Sequence, residues 1–194
     1  VCSSDLNMIK LGNRFPSFNL EATVSSHLDQ AFTRVTDGDH PNQWKVYFFW
    51  PKDFTFVCPT EIKAFNDQYE AFADRDAVLI GGSTDSAYVH LAWRQAKEEL
   101  QDLKFPMLSD IKGELARALG IDDEEEGVMQ RATIIVDPHN TVRFVMANDM
   151  NVGRNPQEVL RVLDALQTDE LCPCNWQPGD ATLTPQSETT LEEV

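Results

Sequence analysis

Cysteines stand at positions 2, 58, 172 and 174, one of them near the end of the first third of the chain and two as a close late pair. A thiol can act as a nucleophile, as half of a reversible disulfide or as a metal ligand, and in each case the thiolate is the competent form. A reducing compartment disfavours a static disulfide framework. Redox chemistry, a metal, or an ordinary buried cysteine therefore remain as readings at each position. Cys58 opens the run CPTEIKAFNDQYEAF, in which Ile62, Phe65, Tyr69 and Phe72 recur at helical spacing, Pro59 suits a first turn and Glu61 is favourable there. This predicts Cys58 at the amino end of a helix, where unpaired amides are expected to point at the sulfur and the macrodipole favours negative charge. Thr55, three residues earlier, brings a hydroxyl to the same pocket if the loop folds back. The same features also suit a passing anion or a structural cysteine.

A metal reading starts from Cys172 and Cys174 and must add His27, His40, His90 or His139. Closed zinc sites usually need four convergent ligands, often in wider cysteine pairs, and these histidines are scattered. They are read as surface or packing residues, and no metal is expected. Met8 opens the run MIKLGNRFPSF, which leaves open whether residues 1–7 are native or a remnant, and Cys2 is not counted as functional.

The elements that must position the sulfur are legible in outline. WKVYFFW, residues 44–50, is dense in aromatic and β-branched residues and predicts a buried strand, followed by a loop, PKDFTFV. AVLIGG, residues 77–82, predicts a second core strand, so strand, helix and strand form a parallel βαβ unit. A second helix is expected over 86–100, ending before a break at KFPMLSD, and a short one over 111–119 with a stop at Gly120. The acidic run DDEEEG, residues 122–127, is read as a solvated turn. RATIIVD and TVRFVMA, separated by PHN, predict an antiparallel pair. Asn155 suits a cap and Pro156 a first helical position for a last helix whose apolar face is Val159, Val162, Leu163 and Leu166. After Gln167 the periodicity fades into an extended arm with a frayed end. The expectation is an α/β chain with a mixed sheet flanked by helices, organised as a main domain over 8–168 and an arm over 169–194.

Composition narrows the functions. Asp and Glu outnumber Lys and Arg by 32 to 16, a formal charge of −16 that opposes association with phosphate backbones and anionic lipid. No nucleic-acid or membrane partner is expected, and no stretch approaches the roughly 20 apolar residues of a membrane span. The start VCSSDLN has neither a basic region nor an apolar one, so no secretory signal is visible and a cytoplasmic location is expected.

At FFWPKDFTFVCPTEI the residues become family-specific. The string resembles the active-site signature of the peroxiredoxins, P-x-x-x-T-x-x-C, here Pro51, Thr55 and Cys58. VCPTEI resembles the alkyl hydroperoxide reductase C and typical two-cysteine branch, and with the late LCPCNW the chain is similar to actinobacterial members. The resemblance runs from about Leu11 to Asp180. It implies a thioredoxin-like fold and reduction of hydrogen peroxide and organic hydroperoxides without a cofactor. Cys58 corresponds to the peroxidatic cysteine, which becomes a sulfenic acid. Thr55 corresponds to the residue that hydrogen-bonds sulfur and peroxide, Pro51 to the residue that shields the pocket, and Arg131 to the active-site arginine, whose fixed cation stabilises charge on the sulfur and on the departing oxygen. Glu61 and Arg154 match the network that orients that arginine. Taken alone, Arg131 is a basic residue at a strand edge, Glu61 a first-turn charge and Arg154 a surface side chain.

A sulfenic acid must meet another thiol before further oxidation, since sulfinic acid is largely a dead end. The resemblance implies that the C-terminal arm of one subunit supplies it to the other, with Cys172 the first choice as resolving residue and Cys174 a third thiol in exchange. It also implies a homodimer, a pentamer of dimers, and reduction by a thioredoxin-like or other dedicated dithiol protein. Neither a GGLG-type insertion within WRQAKEELQDLKFPMLSD nor a YF-type ending is present, which implies resistance to overoxidation. Two other functions compete. A general thiol-disulfide oxidoreductase would be favoured by a C-x-x-C motif, but CPTE lacks the second cysteine. A ring-forming holdase or redox relay would need client binding or disulfide transfer.

Overall fold

The computed structural model describes residues 8–184; residues 1–7, with Cys2, and the expected frayed end from 185 lie outside the described residues. The chain divides into two units, one running to Pro156 and the other from Gln157.

The first unit is built on a seven-stranded sheet. Its strands are β1 (Asn19–Thr23), β2 (Phe32–Thr36), β3 (Trp44–Phe49), β4 (Ala77–Ser83), β5 (Met107–Ser109), β8 (Arg131–Val136) and β9 (Val142–Asn148). Two short strands, β6 (Asp122–Asp123) and β7 (Val128–Met129), pair separately as an antiparallel hairpin. The large sheet has the order β2-β1-β5-β4-β3-β8-β9. β3 and β4 are parallel, as are β4 and β5, while β3 and β8, β8 and β9, β1 and β5, and β1 and β2 run antiparallel. The helices of this unit are α1 (Cys58–Asp67), α2 (Tyr69–Ala73), α3 (Ala87–Ala96) and α4 (Glu114–Leu119). This is the thioredoxin-like α/β fold with a mixed sheet flanked by helices.

Successive side chains of a strand point to opposite faces, and β3 uses both. Tyr47 and Phe49 enter a core with Phe15, which stacks on Tyr47 at 4.2 Å, and with Leu115, Ala116 and Leu119 of α4. Phe48 and Trp50 face the other way, where Phe65 of α1 stacks on Phe48 at 4.2 Å and His90 of α3 lies against Trp50. Burial on both faces explains why WKVYFFW reads as a continuous apolar run. Stacked aromatic pairs of this kind add about 0.5–1.5 kcal/mol each beyond their burial.

Several elements differ from expectation. β1, β2 and β5 are additional strands. β1 and β2 carry polar residues on one side, and β5, three residues inside the supposed break KFPMLSD, is too short to show a period. The helix read through CPTEIKAFNDQYEAF breaks at Gln68, whose backbone leaves the helical region, into α1 and α2. The second helix stops at Ala96, Lys97 is extended, and a 3₁₀ turn covers Glu98–Leu100. α4 starts three residues later than expected. Gly113, at φ +63°, turns the chain, and Asp110 accepts from the amides of Glu114 and Ala116. The acidic run supplies β6, Asp122–Asp123, and the tip of the β6–β7 hairpin.

The second unit holds α5, which spans Pro156–Thr168, and the loop after it. Residues 171–183 do not extend as an arm. Leu183 donates its amide to the carbonyl of Leu171 at 2.8 Å, and the nearly buried Trp176 donates from Nε1 to the carbonyl of Asp180, so the segment closes on itself. Among the described residues no helix is long and apolar enough to cross a membrane.

Candidate active site

β3 delivers the chain into the loop 50–57, and that loop is tied down before it reaches α1. Trp50 donates from Nε1 to Asp53 Oδ1 at 2.8 Å, and Asp53 Oδ2 lies 2.6 Å from His90 Nδ1. His90 Nε2 donates to the carbonyl of Leu108 at 3.0 Å. The Asp53 amide donates to Asp85 Oδ2, which also accepts from Ser83 Oγ. The Asp53 and His90 side chains are fully buried. Burial pushes the Asp53 carboxyl above its ordinary range, and the hydrogen bond and charge of His90 only partly offset this. Phe54 then takes a left-handed conformation, φ +57°, that reverses the chain toward Cys58.

Cys58 is the first residue of α1 and is fully buried. The expected amide donors do not reach it. Pro59 has no N–H, and the amides of Thr60 and Glu61 both bond to the carbonyl of Val57. The donor at the sulfur is instead Arg131 Nη1, 3.4 Å from Sγ. Arg131 opens β8, is nearly buried, and is held at two further points, Nη1 to Glu61 Oε2 at 2.6 Å and Nε to the carbonyl of Met150 at 2.7 Å.

Glu61 lies one turn into α1, where its buried carboxylate accepts from Arg131 and three times from Arg154. The Arg154 amide and Nε each lie 2.8 Å from Oε1, and Nη2 lies 3.0 Å from Oε2. Burial alone would raise the Glu61 carboxyl, but the hydrogen bonds and charge of Arg154, joined by the charge of Arg131, outweigh it and hold the group below its ordinary value. Arg154 also donates from Nη1 to the carbonyl of Ala132, and its guanidinium sits 5.8 and 5.7 Å from the ring centres of Phe48 and Phe65. It is a buried residue, not a surface side chain.

A cavity of about 280 Å³ opens over the sulfur, lined by Pro51, Lys52, Thr55, Cys58, Glu126, Val128, Arg131 and Met150. Pro51 is buried in its wall. The Thr55 hydroxyl donates to the carbonyl of Lys52 at 3.0 Å, not to the sulfur, so its lone pairs remain to accept from a ligand O–H. Pro51, Thr55, Cys58, Glu61, Arg131 and Arg154 therefore converge in the first unit. Asp53, His90, Lys52 and Glu126 join them unheralded. The partners in these pairs, Asp53 with His90 and Lys52 with Glu126, lie 37 and 74 residues apart in the chain.

Cys172 and Cys174 belong to the second unit, where both line a cleft of about 870 Å³ beside α5. Cys172 is half-buried. Its sulfur lies 3.4 Å from Thr168 Oγ1 and donates toward the carbonyl of Ala165 at 3.8 Å. Cys174 is exposed. Arg161 lines the same cleft, clamped by Glu158 through Nε and Nη2 at 2.7 Å each and donating from Nη1 to the carbonyl of Trp176 at 3.1 Å. Among the described residues no group of three or more His, Cys, Asp or Glu side chains is arranged to hold a metal ion.

Residues 11–145 match the AhpC/TSA family, and residues 166–194 match the C-terminal domain of 1-Cys peroxiredoxin. The chain is 50% identical over 184 residues to alkyl hydroperoxide reductase C of Mycobacterium tuberculosis, covering 91% of this chain and 94% of the relative. It is 52% identical over 184 residues to the protein of the same name in Mycolicibacterium smegmatis, with the same coverage. Among solved structures, Mycobacterium bovis AhpC superposes with a TM-score of 0.80 at 49% identity, covering 88% of this chain and 99% of that one. The reduced Plasmodium vivax 2-Cys peroxiredoxin gives 0.84 at 34% identity, covering 91% and 94%.

Proposed function

The chain belongs to the AhpC/TSA family of peroxiredoxins and is a thiol peroxidase of the alkyl hydroperoxide reductase C type, and from that premise we propose that Cys58 reduces hydrogen peroxide and organic hydroperoxides by direct attack on the O–O bond. The observation that carries this reading is the Arg131 guanidinium, 3.4 Å from Cys58 Sγ at the floor of a pocket open to a small ligand. The Cys58 thiolate forms an S–O bond with the nearer peroxide oxygen as the O–O bond breaks. The departing alkoxide or hydroxide leaves with the electron pair and takes a proton to become alcohol or water. Sulfur is oxidised by two electrons, so no other redox group is needed. Arg131 stabilises the negative charge as it passes from sulfur to the leaving oxygen, Thr55 accepts from the peroxide O–H, and Pro51 walls the pocket. Glu61 and Arg154 keep the Arg131 guanidinium in place.

The sulfenic acid then meets Cys172 in the C-terminal segment, residues 169–194, of a second copy. The S–S bond forms, and the sulfenic hydroxyl leaves as water with the thiol proton. Cys174, exposed two residues on, exchanges with that disulfide, and a thioredoxin-like or dedicated dithiol protein returns the electrons. The working form is a homodimer assembled as a pentamer of dimers, in the cytoplasm. Phe54, Phe56 and Tyr88, large apolar side chains at the surface of the active-site loop and α3, favour such packing of copies.

Single-turnover kinetics tests the reading. The parent should consume one equivalent of peroxide in a fast phase that Cys58→Ser lacks. A fast phase that survives the substitution, or none in the parent, would refute it. A disulfide oxidoreductase or holdase would show no such phase.

A further inference from the structure

The mouth of the cavity over Cys58 is framed by two opposite charges that the chemistry at the sulfur does not use. Lys52 Nζ and Glu126 Oε2 lie 2.9 Å apart, and both residues line the cavity with Cys58 and Arg131. An exposed ion pair usually means little, because two long side chains meet by chance and water screens them. Here both backbones are fixed. The Lys52 carbonyl accepts from the Thr55 hydroxyl, and the next amide, that of Asp53, is bound by Asp85. Glu126 sits in the hairpin tip, where Asp123 Oδ1 accepts from the amides of Glu125 and Glu126 and Gly127, at φ +67°, returns its amide to the carbonyl of Asp123. Thr84 ties that tip back by donating to the carbonyl of Gly127. Two rigid loops 74 residues apart thus hold one cation and one anion at the entrance.

We propose that the Lys52–Glu126 pair sets the charge selectivity of this pocket, balancing the entrance so that uncharged hydroperoxides are taken in preference to carboxylate-bearing ones. The inference rests on the peroxidase reading and names the substrate class of that same pocket. Glu126 both repels an incoming anion and offsets the charge of Lys52 beside it, while Asp123 of the same hairpin adds to the negative field at Lys52. Removing Glu126 leaves Lys52 opposed only by the weaker fields of Asp85 and Asp123 and so better able to attract an anion; removing Lys52 leaves Glu126 unopposed. The two substitutions must therefore move selectivity in opposite directions. A purely structural ion pair predicts the same direction for both, because either change breaks it.

The test uses the reduced full-length protein and two probes of nearly equal size, a tertiary alkyl hydroperoxide with a terminal carboxylate and its methyl ester. The readout is the ratio of their second-order rate constants within each variant. With a substrate charge several ångströms from the rim in a mostly aqueous setting, Glu126→Gln should raise the anionic-to-neutral ratio about three- to tenfold and Lys52→Gln should lower it by a similar factor. Both shifts should collapse at about 1 M salt, where the screening length falls to about 3 Å. Lys52→Arg should keep the parent ratio. Ratios that move in the same direction, or not at all, overturn the proposal while the parent's reaction with both probes leaves the peroxidase reading standing. A parent that reacts with neither probe overturns both.

Discussion

Replacing Glu61 by Gln tests the network behind the sulfur with almost no change of shape. The carboxylate accepts four N–H donors, one from Arg131 and three from Arg154, at 2.6–3.0 Å, and the side chain is only 2% exposed. The amide keeps one carbonyl oxygen, turns an NH₂ group toward guanidinium donors, and removes the only carboxylate ion-paired with either arginine among the described residues. Breaking a buried ion pair from one side costs about 3–5 kcal/mol, a large share of the roughly 5–15 kcal/mol that holds a domain folded. The two pairs share one carboxylate, so their costs are not summed. Arg131 would lose its charged anchor and keep the Met150 carbonyl and the Cys58 sulfur, and a shift of about 1 Å in a catalytic group can cost about 100-fold, so the peroxide rate constant should fall about 10- to 100-fold. Urea unfolding and stopped-flow peroxide reduction measure the two effects. The same variant isolates a pH dependence. Because Glu61 is held below its ordinary value of 4.5, its contribution is fully present above that value and is lost as pH falls through and below it. Glu61→Gln should flatten that part of the acid limb. A stability loss under about 1 kcal/mol with a rate within twofold of the parent would refute the reasoning, since breaking a buried pair costs several times that.

Three further outcomes follow from particular residues. Cys172→Ser should leave one peroxide turnover but impair disulfide closure, with partial rescue by Cys174. Mass spectrometry of linked peptides would reject this order if the native linkage ran wholly from Cys58 to Cys174 with Cys172 free. With no GGLG-type insertion within WRQAKEELQDLKFPMLSD, the enzyme should retain activity through repeated high-peroxide cycles; rapid sulfinic acid formation at Cys58 would count against it. Gly81→Ala would set a methyl group 2.7 Å from Trp50 Cζ3 and 3.1 Å from the rings of Phe48 and Phe105, all rigid and buried. Such overpacking should lower stability by about 1–3 kcal/mol in chemical denaturation, and an unchanged midpoint would mean that these rings give way freely.

The parts of the molecule legible in its sequence are those where local pattern and global burial agree. Tyr47, Phe48, Phe49 and Trp50 are apolar in succession because both faces of β3 are covered, and Cys58 precedes an unmistakable helical period. β1 and β2 were hidden because an edge pair with polar residues on one side resembles loop, and β5 because three residues carry no period. The site divides in the same way. Motif resemblance supplied Arg131, Glu61 and Arg154, and they meet as it implied; the amide donors expected from the helix start are what the structure lacks. A helix start suggested amide donors, whereas Pro59 removes one and Val57 occupies two, leaving an arginine 73 residues away to meet the sulfur. The pairs Asp53–His90 and Lys52–Glu126, 37 and 74 residues apart, had no signal at all. Only the path of the chain brings such partners together.

That path also explains why one carboxylate serves two arginines. Arg131, Arg154 and Glu61 together carry one net positive charge in a site from which water is largely excluded, and a buried charge persists only when something balances it. The remaining N–H groups of Arg154 go to the Ala132 carbonyl and the Thr133 hydroxyl, and Arg131 Nε goes to the Met150 carbonyl. None of these acceptors carries charge. The group left within reach of Arg131 Nη1 is the sulfur it already touches. In the proposed cycle the reduced thiolate completes the cluster, and oxidation to a neutral sulfenic acid takes that anion away. The first turn of α1 then loses one of its two ties to Arg131 of β8, keeping the one through Glu61, at the step when the oxidised sulfur must leave its buried position to meet a second thiol. The arrangement that favours attack on peroxide thus weakens its own hold once the attack has happened, and Glu61, shared between two cations instead of reserved for one, sets how strong that hold is.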